Sequence, residues 1–409
     1  MEVLDAVVLG AGPAGLAAGL SLARAGARVA VVEAGDEVGG LCRTVARHGF
    51  LYDLGGHILF VRHDERLAWL RDLVGDDLVW VDRPVASVAG GRVEAGRYLD
   101  RRPAGFTPNG DGAGCASGLD FLAVRAGGRE WVDRWMRPYL EKIDGLPLER
   151  IPAARVERLL VGQAAPDGFW FCRWGIGRLM QAMADATVAA GGRVHVAARA
   201  TALRVGDDGV EVDVEGHRSA RAEQLVVAVA PHMAARLLRP APPPPLVAPL
   251  PMRAVCLVYL ALDRDRLTEE PWIQVDDPAV PFARLAEMRN WSADMAPRGR
   301  TVLCAECYCR ADGADPVWSL TDDALGAACA RALHDPLGLA AEPVAWRLLE
   351  VVRLPQAYPV VAVDEVERAV APARHLAGLP GVEVAQGGAV VEAIDAGEAA
   401  AARIVAAAR

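Results

Sequence analysis

The chain has 409 residues, 53% hydrophobic and 24% charged, which is ample material for two packed cores and excludes a disordered chain. Its 44 basic against 53 acidic residues give a net charge of -9, which argues against a general nucleic-acid surface. No apolar run reaches the length of a membrane span, so neither nucleic acid nor membrane is expected as a partner.

The first predicted element is a buried strand, Ala6 to Leu9, that turns through Gly10-Ala11-Gly12-Pro13-Ala14-Gly15 into a helix. A second apolar strand, Val29 to Val32, ends at Glu33 and Ala34. The turn reads as a phosphate cradle. Gly10 permits the tight bend, Gly12 lets backbone approach a pyrophosphate, Gly15 lets the helix pack on the strand, and Pro13 and Ala14 open the helix whose N–H groups face the anion. Glu33 stands where a carboxylate accepts hydrogen bonds from both ribose hydroxyls and repels a 2′-phosphate, so the expected ligand is FAD or NAD rather than NADP.

Next come Gly39-Gly40-Leu41-Cys42-Arg43 and Asp53-Leu54-Gly55-Gly56-His57. Glycine pairs around an arginine, just after the ribose strand, suit a loop lying against a diphosphate and a flat ring. A nicotinamide site needs no such loop. Together with the first turn and Glu33, this set resembles the FAD-binding half of the superfamily that holds protoporphyrinogen oxidase, amine oxidases, phytoene desaturases and UDP-galactopyranose mutase. The resemblance implies FAD, with Gly40, Leu41 and Arg43 along the second loop, Arg43 near the pyrophosphate, and Gly55, Gly56 and His57 close to the isoalloxazine.

Further along, Arg66 to Val74 reads as a helix, Gly90 to Gly118 as a loop or lid, and Arg129 to Met136 as a helix whose Trp and Met stripe belongs to a core. The segment Arg137 to Gly145, with Tyr139 and Lys142, is similar to one in protoporphyrinogen-oxidase-like and mutase-like flavoproteins, except that Asp144 replaces a tryptophan. Phe169 to Leu179 resembles the family's aromatic and Gly-x-Gly element and opens a helix to Ala190. From Gly192 the pattern is strand again. The resemblance implies a second visit to the FAD domain there, with Val196 near the adenine, while the residues alone also fit a plain antiparallel meander. Pro240 to Pro251, with its four-proline run, marks a crossover between domains.

Met252 to Leu262 and Thr301 to Cys309 read as strands of a second sheet, the latter carrying Glu306 and Tyr308. Thr321 caps a helix, Trp346 to Arg353 is a strand, and Ala357-Tyr358-Pro359 resembles the element at which the family returns to the flavin. At the C-terminus a strand, a glycine turn and a helix resemble a third visit, bringing Gly388 and Val391 to the flavin; many relatives carry Gly-Arg where this chain has Gln386-Gly387. The eight cysteines are scattered and no signal segment precedes the first strand, so free thiols in a cytoplasmic protein are expected. Cys304-x-x-Cys307-x-Cys309 has no second Cys or His pair at metal-site spacing and reads as buried strand positions; no metal is expected.

The expected architecture is α/β: a doubly wound, Rossmann-like FAD-binding domain (1–85, 191–238 and 351–409) and a mixed-sheet plus helical substrate domain (86–190 and 239–350). The expected activity is FAD-dependent oxidation of a soluble small molecule by hydride transfer to flavin N5. His57 is the best candidate for a base, with Glu306 and Tyr358 behind it, and Tyr139, Arg289, Tyr308 and Arg353 are candidate substrate contacts. Lys142, the sole lysine, lies outside the position at which amine oxidases hold theirs. The alternative is a flavin-dependent, non-redox mutase or isomerase of a nucleotide sugar, which would use Arg284, Arg289 and Arg353 on a diphosphate. A third possibility is a binding subunit that has lost its chemistry. The sequence leaves the oligomeric state open.

Overall fold

The computed structural model describes residues 4–82, 85–89, 91–101, 112–162, 168–216 and 219–407. Two seven-stranded sheets organise them. In the first, Leu4–Leu9 lies between Val29–Val32 and Ala220–Val227, all parallel, with Arg193–His195 and Val382–Val384 extending the parallel set. Gly209–Val214 and Ala200–Gly206 add an antiparallel edge. Val29–Val32 is buried at every position, as is most of Leu4–Leu9, because helices cover both faces of a parallel sheet.

The helix Pro13–Arg24 follows the first strand and packs against Gly177–Ala189 and Val390–Ala407. That packing depends on small residues. A Cβ on Gly15 would come within 1.8 Å of Gly10 O, and one on Gly397 within 2.1 Å of Ala14 O. Residues 193–227 supply four strands of this sheet, and Val382–Val384, before the last helix, supplies another.

The second sheet runs Trp346–Pro359, Met252–Leu262, Thr301–Cys309, Arg284–Glu287, Trp272–Gln274, Ala86–Ala89, Arg92–Ala95. All neighbours are antiparallel except Trp272–Gln274 with Ala86–Ala89. Met252–Leu262 is apolar on both sides: Val255, Leu257, Tyr259 and Ala261 face the larger core shared with the first sheet's helices, while Cys256, Val258 and Leu260 face a second core under the helix Asp322–His334. Thr321 caps that helix by accepting a hydrogen bond from Ala324 N–H at 3.3 Å. Cys304 points to the first core and Cys307 and Cys309 to the second.

Three sequence expectations shift. The strand Trp346–Pro359 belongs to the second sheet over its whole length, so the boundary set at 350 falls inside it. The helix Gly177–Ala189, assigned to the substrate domain, packs on the first sheet's helix. Within the expected loop Gly90 to Gly118, Arg92–Ala95 pairs with Ala86–Ala89 as an edge strand, too short to stand out in the pattern, and residues 102–111 lie outside the described residues.

Candidate active site

The glycine bend at the carboxyl end of the first strand is open on one side. Gly10 has φ +100°, a conformation that favours glycine, whereas a Cβ on Gly12 would meet nothing within 4 Å. The following helix has no side-chain cap and no acid in its first turn, so its positive end is left for an anion. Glu33 accepts Ala11 N–H and Gly35 N–H, both at 2.8 Å, one on each carboxylate oxygen. Each oxygen keeps lone-pair capacity for a hydroxyl. Val196, 40% exposed, follows His195, whose carbonyl accepts Glu33 N–H at 2.8 Å. An exposed apolar side chain therefore follows the strand residue that pairs with Glu33, and Ala34 is exposed as well.

The second glycine loop is tied to the first, since Gly39 N–H donates to Ala11 O at 2.7 Å and Gly40 faces Gly12. Arg43 bends back on this loop, with Nε donating to Gly40 O at 2.9 Å. Gly388 precedes the helix Val390–Ala407, and its N–H donates to Glu392 at 3.2 Å; Val391 is half-buried in the first turn of that helix. This open cradle, uncapped helix end and lone-pair-bearing glutamate fit a dinucleotide cofactor.

From Gly40 the chain passes to Leu41, which lines a pocket with Leu54, Gly55, Gly56, His57, Leu257, Arg284, Glu306, Leu354, Ala357 and Tyr358. Three residues expected to do chemistry, His57, Glu306 and Tyr358, thus share one cavity. Glu306 is 5% exposed; its Oε1 accepts Gly56 N–H at 3.1 Å and its Oε2 accepts the Tyr308 hydroxyl at 2.7 Å. Arg284 stands 3.5 Å from Glu306, donates from Nε to Tyr139 Oη at 3.0 Å, and lies against the rings of Trp272 and Tyr308. Tyr308 and Tyr358 stack at 6.2 Å. Burial pushes the Tyr308 and Tyr139 phenols up, so both stay protonated, Tyr308 donating to Glu306 and Tyr139 accepting from Arg284.

His57 Nδ1 is buried with no protein partner. Burial lowers the pKa of this imidazole, against the pull of Glu306, so the ring is neutral near pH 7. Beneath the pocket, Asp53 is fully buried and accepts the Thr44 hydroxyl at 2.6 Å and Ile176 N–H at 3.1 Å. Tyr259 Oη donates to Asp53 O at 2.6 Å, and Tyr52 Oη donates to Glu350 at 2.8 Å, fastening the hairpin Thr44–Asp53 to the second sheet.

Of the expected substrate contacts, Tyr139 and Tyr308 belong to this network. Arg289 does not; its guanidinium donates to the carbonyls of Ala296 and Pro297 at 3.1 and 2.9 Å and braces a loop. Arg353 projects from the opposite face of the second sheet, to Asp322 and Leu320 O. Tyr259, Trp291 (whose ring lies against Gly56), Leu257 and Leu354 were not singled out from sequence. The signal for Tyr259 was available, as a hydroxyl inside an otherwise apolar strand. Among the described residues no group of three or more His, Cys, Asp or Glu side chains converges as a metal site, and no helix is long and apolar enough to cross a membrane.

Residues 116–405 match the family described as flavin containing amine oxidoreductase, and residues 8–73 match an NAD(P)-binding Rossmann-like domain. A hydroxyneurosporene desaturase of Rhodobacter capsulatus is 52% identical over 59 residues, which is 14% of this chain and only 12% of the desaturase. Reduced UDP-galactopyranose mutase has a similar structure, with TM-score 0.74 at 18% identity, covering 99% of this chain and 96% of the mutase. Wild-type putrescine oxidase bound to putrescine superposes with TM-score 0.70 at 20% identity, covering 99% of each chain. At these identities the two structures establish the fold they share with this chain.

Proposed function

The chain belongs to the flavin-containing amine oxidoreductase family, and on that premise we propose that it is an FAD-dependent oxidase or dehydrogenase acting on a soluble small molecule. The sheet around Leu4–Leu9 is then the FAD-binding domain, entered three times, and the sheet around Met252–Leu262 is the substrate domain. Bound FAD would supply a two-electron acceptor able to take a hydride at N5.

All other tasks fall to the chain. The bend from Gly10 to Gly15, with Pro13 and Ala14, would hold phosphate, Glu33 the ribose and Val196 the adenine. Gly40, Leu41 and Arg43 would hold the pyrophosphate, and Gly55, Gly56, His57, Gly388 and Val391 the ring. The observation that supports this reading is the pocket continuous with Leu41, where His57, Glu306 and Tyr358 meet. His57, neutral and unpartnered at Nδ1, accepts the substrate proton as the hydride departs. Glu306, already holding Gly56 N–H and the Tyr308 hydroxyl, orients the floor of the pocket. Tyr358, 44% exposed, meets incoming substrate at the mouth, and Leu257 and Leu354 exclude water.

Isomerisation of a nucleotide sugar is the weaker reading. Of the three arginines it requires on a diphosphate, Arg289 is committed to backbone carbonyls and Arg353 faces away, so Arg284 stands alone at the pocket. Anaerobic titration of the FAD-loaded protein with candidate small molecules separates the two. Substrate-dependent bleaching of oxidised flavin supports the redox reading. Turnover that needs prior reduction and leaves the flavin spectrum unchanged contradicts it.

A further inference from the structure

The outer face of the second sheet carries buried thiols that the flavin site does not use. Cys256 is paired in register with Cys307 on one neighbouring strand and with Arg353 on the other. Its Sγ lies 3.8 Å from that of Cys309, and Cys307 Sγ lies 3.7 Å from that of Cys329 on the helix Asp322–His334. All four are reduced and fully buried.

The two pairs have different surroundings. Cys307 and Cys329 sit among Leu303, Leu325 and Leu333 in the middle of the second core. Cys256 and Cys309 lie toward the sheet's end, next to Arg353, whose ion pair with Asp322 is at the surface, the two side chains being 26% and 52% exposed.

We propose that Cys256 and Cys309 form an oxidisable dithiol, which a hydroperoxide closes to an intrachain disulfide between the strands Met252–Leu262 and Thr301–Cys309. The Cys256 thiolate attacks a peroxide oxygen, the O–O bond breaks, and the departing hydroxide takes a proton to become water. Cys309 sulfur then attacks the sulfenic sulfur, the S–O bond breaks, and the second oxygen leaves as water with the Cys309 proton. Two thiols lose two electrons and two protons, and one peroxide becomes two waters.

The order of attack follows from the surroundings. The hydrogen bond shared with Cys309, and then the charge of Arg353, hold the Cys256 thiol below its ordinary value. The same hydrogen bond, with burial, raises Cys309, which keeps its proton until the second step. Cys309 stands opposite Ala254 and so diagonal to Cys256, and closing the gap to a sulfur–sulfur bond of about 2 Å takes a shift of the two strands as well as side-chain rotation.

The test treats the intact FAD-loaded chain with hydrogen peroxide, alkylates the remaining thiols, and maps the peptides. The expected result is loss of two of the eight thiols, a Cys256–Cys309 cross-linked peptide, and recovery of all thiols with dithiothreitol. Arg353→Gln, with an unchanged melting temperature, is expected to slow cross-linking, because it removes a charge that favours the Cys256 thiolate. The proposal is overturned if only the half-buried Cys115 is oxidised, if the cross-link joins Cys307 to Cys329 instead, or if Arg353→Gln reacts as fast as the parent.

Discussion

Asp53 shows how much of this site is held by one side chain. Its carboxyl is fully buried, and burial raises its pKa to about 7 despite the hydrogen bonds from Thr44 and Ile176. A raised acid pKa means that the folded chain binds the proton more tightly than the unfolded chain. The stability this contributes is complete at pH below the unfolded value near 4 and is lost as pH rises through about 7. Asp53→Asn, which keeps an acceptor for Ile176 N–H, is expected to flatten the pH dependence of denaturant-unfolding free energy between pH 4 and 7 by up to about 1.4 kcal/mol per pH unit. His57 behaves oppositely: its lowered pKa keeps it neutral, so the acid limb of kcat/KM should lie below the free-imidazole range near pH 6.5. His57→Ala is expected to reduce kcat, per bound flavin, about 10²- to 10⁴-fold and remove that limb; steady-state kinetics across pH is the check.

At the scale of elements, the contact between Pro13–Arg24 and Val390–Ala407 is set by Gly397, where an added Cβ would lie 2.1 Å from Ala14 O. Gly397→Ala must therefore move one helix off the other. A thermal melt is expected to show a loss of about 1–3 kcal/mol. Features written in local spacing were legible in advance: the two glycine loops, Glu33, and the pairing of Gly55-Gly56 with His57. What was not legible is which face a buried residue takes. Met252–Leu262 is apolar on both sides, so its pattern has no alternation to read. Its pairing with Trp346–Pro359 also shifts register twice; between those shifts Leu354, opposite Val255, reaches the pocket while Arg353, opposite Cys256, points to Asp322. Arg289 was misplaced for a related reason, because nothing in its neighbours announces a loop whose carbonyls would occupy its donors.

For the molecule as a whole, the two sheets meet at a small number of polar fastenings. Tyr52 to Glu350 and Tyr259 to Asp53 join the hairpin after the ribose strand to the sheet that carries Glu306. The hairpin thus ties the expected flavin site to the pocket floor. Tyr259→Phe leaves the buried Asp53 carbonyl without that donor and is expected to cost about 1–3 kcal/mol in chemical denaturation, while weakening flavin retention. FAD is expected to lie across the bend at Gly12, where an added Cβ meets no protein atom within 4 Å. The most direct measurement is the flavin content of purified protein, by visible absorbance and release of FAD on denaturation, for the parent chain and for Gly12→Val. The account predicts close to one FAD per parent chain, and near-total loss in the variant with flavin-free stability changed by less than about 1 kcal/mol. A parent chain that takes up no flavin when FAD is supplied, or a Gly12→Val chain that retains it fully, would contradict the account.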